Sequence, residues 1–495
     1  MFTKLNTRML IGLVALTATV RADGIGSIPQ HPNDLKYPKL DYQLPPASEF
    51  HATLANGITV FIGEDRMLPT FDLTVTLRAA GAFDPADKAG LASLVGEQLR
   101  DGGTQDLTPE ELDERIEFLA ARVSSRIGET RGSVTVSLLS KDIDAALELV
   151  IDILRYPRFD EDRFRLAKER QLQNIKRRND STGSIERNEW SFLMNGEDHF
   201  SNRYPTTQSI ENIRREDLIR YHHRYIHPGN MIIAVAGDFD RGAMLKKLDV
   251  AFGGWPAGAR APKTFAAPNH EPTPGVYLLQ KDEVNQGRVS VGHLGIKRGS
   301  PDEFPLIVMN GILGASGFRS RLVAKVRSDE GLAYNTGSRF GQGAYYRGSF
   351  RCWFQSKSGS CAYATRIVLD EIARLRNEMV SQADVDDTVA YYVESFPQRF
   401  ETKMALLRTY VSDMYTGRDS SYWQTYTDNL KRVTPQDVLR VSKKYLHPDK
   451  LVILAVGDTE VIAKGGHDKA PDLGFDSFGK VTRLPLRDPT TMKRH

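Results

Sequence analysis

Two cysteines in 495 residues exclude a disulfide framework. Cys352 and Cys361 leave room for one bridge, but Phe350, Cys352 and Phe354 alternate on one apolar strand face, which makes Cys352 a small buried side chain. An excess of charge is also missing. The 66 basic residues nearly balance the 63 acidic ones, and three of the bases (Lys4, Arg8, Arg21) fall in the first 22 residues, which hold no acid. Nothing in that balance argues for nucleic acid or an anionic membrane as partner. Long apolar runs are missing beyond Met9 to Val20, which is too short to span a bilayer. With its basic start and Ala22 at a small-residue cleavage point, this run reads as a cleaved export signal. The expected product is a soluble periplasmic protein with no membrane span in the mature chain. Ser/His/Asp and Cys/His constellations are absent, as are Cys-pair motifs. Among eleven histidines only His222, His223 and His227 cluster, and Pro228 ends any helix there, so capping or packing outweighs a metal role.

What the chain does have is 40% apolar and 26% charged residues, enough for several hydrophobic cores. Residues 23–48 are rich in Pro and Asp and form an extended leader. Two strand segments then flank an Asn56-Gly57 turn, and a further strand runs from Phe71 to Ala79. Thr108-Pro109-Glu110-Glu111 is a capping box that opens a helix running towards Val123. Ser133 to Leu139 alternates as a strand. Ile143, Ala146, Leu147, Val150, Ile151 and Leu154 then mark a helical stripe, and a polar helix covers about Asp160 to Arg178.

The chain repeats itself. Tyr225-Ile-His-Pro-Gly-Asn-Met-Ile-Ile-Ala-Val-Ala-Gly-Asp238 returns 220 residues later as Tyr445-Leu-His-Pro-Asp-Lys-Leu-Val-Ile-Leu-Ala-Val-Gly-Asp458. Arg131-Gly-Ser-Val returns as Arg347-Gly-Ser-Phe, displaced by 216, again before a striped helix bearing Ala364, Ile367, Val368, Ile372 and Leu375. Two phrases in the same order imply a tandem duplication of an α+β domain. The expected segments are 1–22 signal, 23–48 leader, 49–256 first domain, 257–274 linker rich in Pro, Gly and Ala, 275–465 second domain and 466–495 C-terminal extension.

The Leu54-Ala-Asn-Gly-Ile-Thr-Val opening, the Gly90-Leu-Ala segment, the Asp198-His-Phe loop, the Tyr-x-His-Pro strand and the repeat resemble the pitrilysin/insulinase (M16) zinc peptidases. The resemblance is to the two-domain bacterial branch and the mitochondrial processing peptidase subunits. It implies two M16-type α/β sandwich domains joined by a linker in a clam-shell. In that family an inverted His-x-x-Glu-His motif and a distal Glu hold zinc, with the motif's Glu as general base for the attacking water. Here the histidine positions carry Ser93 and Glu97, the base position Gly96 and the distal position Asn174. Ser and Asn are poor zinc ligands and Gly takes no proton, so no metal or other cofactor is expected in this chain. Ser93→His, Gly96→Glu, Glu97→His and Asn174→Glu together are a route back to metal binding if the supporting residues remain.

The second half resembles the family where the first departs from it. Arg327 and Tyr334, seven residues apart, match the arginine and tyrosine that reach a zinc site, bind the substrate backbone and stabilise the oxyanion. The segment carrying Arg327 should end at Gly331 and turn into a strand presenting Tyr334. The resemblance therefore implies the non-zinc subunit of a heteromeric peptidase, complete only with a zinc-bearing homologue and acting on unfolded peptides held along a sheet edge. The alternative is a non-catalytic peptide-binding or scaffolding protein, homodimeric or alone.

Overall fold

A computed structural model describes His31, Leu35 and residues 42–494. The export signal and most of the leader lie outside the described residues.

Each half is built around one six-stranded sheet. The first contains β1 (His51–Thr53), β2 (Thr59–Glu64), β3 (Thr70–Leu77), β4 (Arg122–Ile127), β5 (Gly132–Leu139) and β6 (Met231–Gly237). Its spatial order is β4-β5-β3-β6-β2-β1. The second contains β7 (Gly275–Gln280), β8 (Gln286–Leu294), β10 (Ala333–Phe340), β12 (Ser349–Lys357), β13 (Val452–Gly457) and β14 (Val481–Leu484), with a two-residue pair, β9 (Ile296–Lys297) and β11 (Gln342–Gly343), beside it. Its order is β10-β12-β8-β13-β7-β14, the same arrangement position for position. The α+β duplication inferred from the two phrases is thus present in the folded chain. Only the last place differs: β1 joins β2 antiparallel through the Asn-Gly turn, whereas β14, from the C-terminal segment, joins β7 in parallel.

The two closing strands are buried on both faces, which explains their unbroken apolar sequence. In β6, Ile233 and Val235 enter the first half's own core, while Ile232, Ala234 and Ala236 enter the core of the second. The second face of each sheet is covered by a helix from the other half. Lys403–Thr416 brings Leu407, Tyr410 and Val411 onto β2 and β6, and Thr182–Asn195 brings Ile185, Trp190 and Met194 onto β8 and β13. Polar ties follow the same exchange. Glu186 accepts from Arg351 at 2.5 and 2.6 Å, and Arg487 in the C-terminal segment donates to Glu189 at 2.8 Å.

One expectation fails at a boundary. The helix opened by the Thr108 capping box does not run on to Val123; it spans Pro109–Phe118, turns through Ala120 at φ 47°, and yields to strand β4. Arg122, Ser124 and Arg126 alternate with the more buried Val123, Ser125 and Ile127, a period of two hidden inside a polar stretch.

Candidate functional site

The helix with the degenerate zinc positions, Leu91–Asp101, begins at Gly90 with φ 102°. No side chain of the N-cap holds this end. Instead the Asp84 carboxylate accepts from the Gly90 and Ala92 amides, each at 2.9 Å. Burial pushes the Asp84 carboxyl up to about 7, outweighing those two amides.

Ser93 is exposed and Glu97, one turn on, is half-buried, facing the helix Glu161–Lys176. There Arg170 forms an ion pair with Glu97, and Asn174, exposed, follows one turn beyond Arg170. A guanidinium thus neutralises the one carboxylate left among the four positions. Burial raises the Glu97 carboxyl, with Arg170 pulling the other way.

Gly96 is the most constrained of the four. A Cβ built on it would lie 2.2 Å from the Ile127 nitrogen and 2.7 Å from the Arg126 carbonyl carbon, both backbone atoms of β4. The Ser125 hydroxyl donates to the Gly96 carbonyl at 2.6 Å, pinning the strand to the helix. The second half repeats this contact. Gly314 lies 218 residues after Gly96, within the displacements of the repeat, and a Cβ there would lie 2.5 Å from the Ser338 nitrogen of β10. These residues do not fit a zinc ion and its base. The fourfold reinstallation suggested by the sequence meets backbone at position 96, so ligand replacement alone does not reopen the site. Among the described residues no three His, Cys, Asp or Glu side chains converge as a metal-binding group. His222 packs under Leu154, its Nε2 2.7 Å from that carbonyl, and the His227 Nδ1 accepts from the Gly258 amide at 3.1 Å.

The second half presents its residues openly. Arg327 lies in a π-helical turn, Val323–Asp329, where the Glu330 amide reaches back five residues to the Lys325 carbonyl at 3.2 Å. Gly331 at φ 62° reverses the chain into β10, and an irregularity in register between Ala333 and Thr336 leaves both Tyr334 and Asn335 exposed. The Arg327 guanidinium sits 4.5 Å from the Tyr334 ring centroid and 4.6 Å from that of Phe318. Tyr334 is 84% and Phe318 69% exposed. Among the described residues no carboxylate pairs with Arg327. Sequence reasoning missed Phe318, whose signal was a lone aromatic between Gly317 and Arg319 in a polar turn.

Residues 212–392 match the peptidase M16 inactive domain. The chain is 23% identical to the non-peptidase homologue YmxG of Helicobacter pylori over 81% of its length and 92% of the relative's. It is 20% identical to the probable mitochondrial-processing peptidase subunit beta of Arabidopsis thaliana over 82% of its length and 77% of the relative's. Its fold is that of the peptidase M16 inactive domain from Pseudomonas fluorescens, with TM-score 0.74 and 23% identity over 83% of this chain and 97% of that one. A chain of complex III2 from Candida albicans also shares it, with TM-score 0.66 and 16% identity over 83% and 96%.

Proposed function

We propose, from the premise that this chain belongs to the M16 peptidase family and carries none of the zinc-peptidase residues in its own first half, that it is the non-zinc subunit of a heteromeric peptidase. The observation that carries the proposal is the Phe318–Arg327–Tyr334 stack, in which two exposed rings flank a half-buried guanidinium. None of the three side chains is buried, so the fold's stability does not account for them. The guanidinium lies over both rings, so the Arg327 N–H groups and the Tyr334 hydroxyl are brought to one place on the surface. Both are donors that bind a peptide carbonyl more tightly as negative charge grows on its oxygen. Edge strand β10 offers the adjoining peptide a backbone to pair with. A zinc-bearing M16 homologue would supply the activated water. Relatives described as subunits of mitochondrial processing peptidase, and a neighbour within complex III, support a partner of the same fold.

The test is peptidase activity and bound zinc of the purified chain, alone and mixed with a co-expressed homologue bearing His-x-x-Glu-His. Activity only on mixing is expected. Arg327→Ala and Tyr334→Phe should each lower turnover of the mixture by about 10²- to 10³-fold, with assembly and zinc content unchanged. Unchanged turnover would leave the second reading, a non-catalytic peptide-binding protein, which the closed first-half site favours.

A further inference from the structure

The helix Thr182–Asn195 lies over β8 and β13 and reaches β12 through Glu186 and Trp190, and the sheet face beside it forms a groove of about 600 Å³. That volume lies within the range of ligand clefts, ~300–1,000 Å³. Its charge is one-sided. The strand register sets Arg339 of β10 directly opposite Arg351 of β12, on the same face, where like charges repel. Arg288 of β8 reaches Gln355 of β12 at 3.0 Å across that face, and Arg187 projects from the helix, exposed. The one carboxylate lining the groove is Glu186, and it is already used: both oxygens accept from Arg351, and Ser290 donates to one of them. Arg187, Arg288 and Arg339 therefore face the groove with no carboxylate in ion-pair distance among the described residues. Trp190 and Trp353 flank the arginines, their rings 5.6 and 5.8 Å from the Arg351 guanidinium. The remaining side is β10, the end strand of the sheet, with Tyr334 five residues from Arg339 along it.

We infer that this groove binds an extended acidic peptide segment, laid across β10 and β12 with its carboxylates on Arg187, Arg288 and Arg339 and its apolar side chains against Trp353. Five residues of strand span about 17 Å, so a peptide that continues from the groove along β10 comes to the Arg327–Tyr334 pair on the same strand. The inference deepens the proposed function by naming the charge of the peptide, and rests on that reading only for what happens to the peptide once bound.

Binding by the full-length chain alone tests it, with no partner present. The probe is a fluorescein-labelled ten-residue peptide alternating Glu with Val, compared by anisotropy with its Gln-for-Glu counterpart. The Glu peptide is expected to bind and to weaken steeply with salt, the Gln peptide to bind at least about tenfold more weakly. Arg288→Glu and Arg339→Glu should each weaken the Glu peptide by roughly tenfold or more. Arg339 is exposed, so its reversal leaves the fold intact, and a thermal melt confirms this for each variant. Arg170→Ala, on the first half and outside the groove lining, should leave this binding unchanged; because the assay has neither partner nor turnover, failure of the groove is distinct from failure of the Arg327–Tyr334 reading, which is read in turnover of the mixture. Equal binding of the two peptides, indifference to both charge reversals, or complete displacement by equimolar inorganic phosphate, which marks a site for simple anions, would each overturn the inference.

Discussion

The two halves share one strand order and one helix-to-edge-strand contact, yet they treat the edge strand in opposite ways. In the first half β4 lies against Gly96, and of the four positions laid over the zinc motif the two exposed ones hold Ser93 and Asn174, with an Arg170–Glu97 ion pair beside them. In the second half β10 lies against Gly314 in the same manner, but its outer end carries Tyr334, stacked with Arg327 and Phe318 in solvent. The difference teaches that what a helix face can hold is set by the backbone packed against it as well as by its side chains. At Gly96 the strand backbone occupies the space that any side chain would need. The first half is packed closed at this point, and the second leaves a phenol and a phenyl ring in solvent.

The largest expected effect breaks this comparison at its tightest point. Gly96→Glu, with backbone 2.2 Å from its Cβ, should destabilise the chain by at least ~3 kcal/mol. Gly314→Glu should do the same in the other half. Ser93→His and Asn174→Glu, on exposed positions, should change stability by no more than ~0.5 kcal/mol. Denaturant unfolding of the four variants measures this. A stable Gly96→Glu protein that binds zinc when Ser93→His and Glu97→His are added would show that the first half is an open site lacking only its ligands.

The duplication was legible because it lies in apolar strands whose period the core dictates. β6 and β13 feed two cores each, and no polar residue fits either strand. The turn at Gly331 was legible from its glycine, whereas Arg327 and Tyr334 were singled out only by the family resemblance. The closure of the first-half site was not. It depends on β4, whose exposed face of arginine and serine masks a strand as a helix tail, and on a contact between Gly96 and a strand some thirty residues distant. Phe318 was hidden for the opposite reason: an exposed aromatic in a turn carries no periodicity. The basic groove escaped because its arginines come from four segments that only the sheet register brings together.

Acid should sharpen the comparison next. Each half buries one neutral histidine whose pKa burial pushes down to about 4, His222 under Leu154 and His293 between the Leu294 carbonyl and the His447 amide. The unfolded chain takes up these protons near pH 6.5, so the stability they contribute is complete above that pH and is lost as pH falls towards 4. The loss is about 3 kcal/mol for each histidine. Asp84 works against this in the first half only. Its carboxyl stays protonated up to about 7 in the folded chain but not when unfolded, so it favours the fold below that pH and ceases to as pH rises. His222→Gln and His293→Gln should each flatten the acid limb of the stability profile, and Asp84→Asn should steepen it, because the three terms add within one folded unit; an unchanged limb in Asp84→Asn would mean that Asp84 is charged in the folded state.

The smallest effect concerns the Arg170–Glu97 ion pair of the first half. Arg170 is 62% exposed and Glu97 25%, so solvent screens the pair, and Arg170→Ala should cost less than ~1 kcal/mol. The Glu97 carboxyl, already raised by burial, should then rise further, so the small loss should grow as pH increases through its titration. A loss several times larger would make the guanidinium, rather than the β4 backbone at Gly96, the element that holds the two helices together. The first half would then be a site closed by one removable side chain, and Arg170→Ala combined with Ser93→His and Glu97→His would be the way to reopen it. A loss within the expected range leaves the closure where the geometry puts it, in a strand that no single surface substitution displaces.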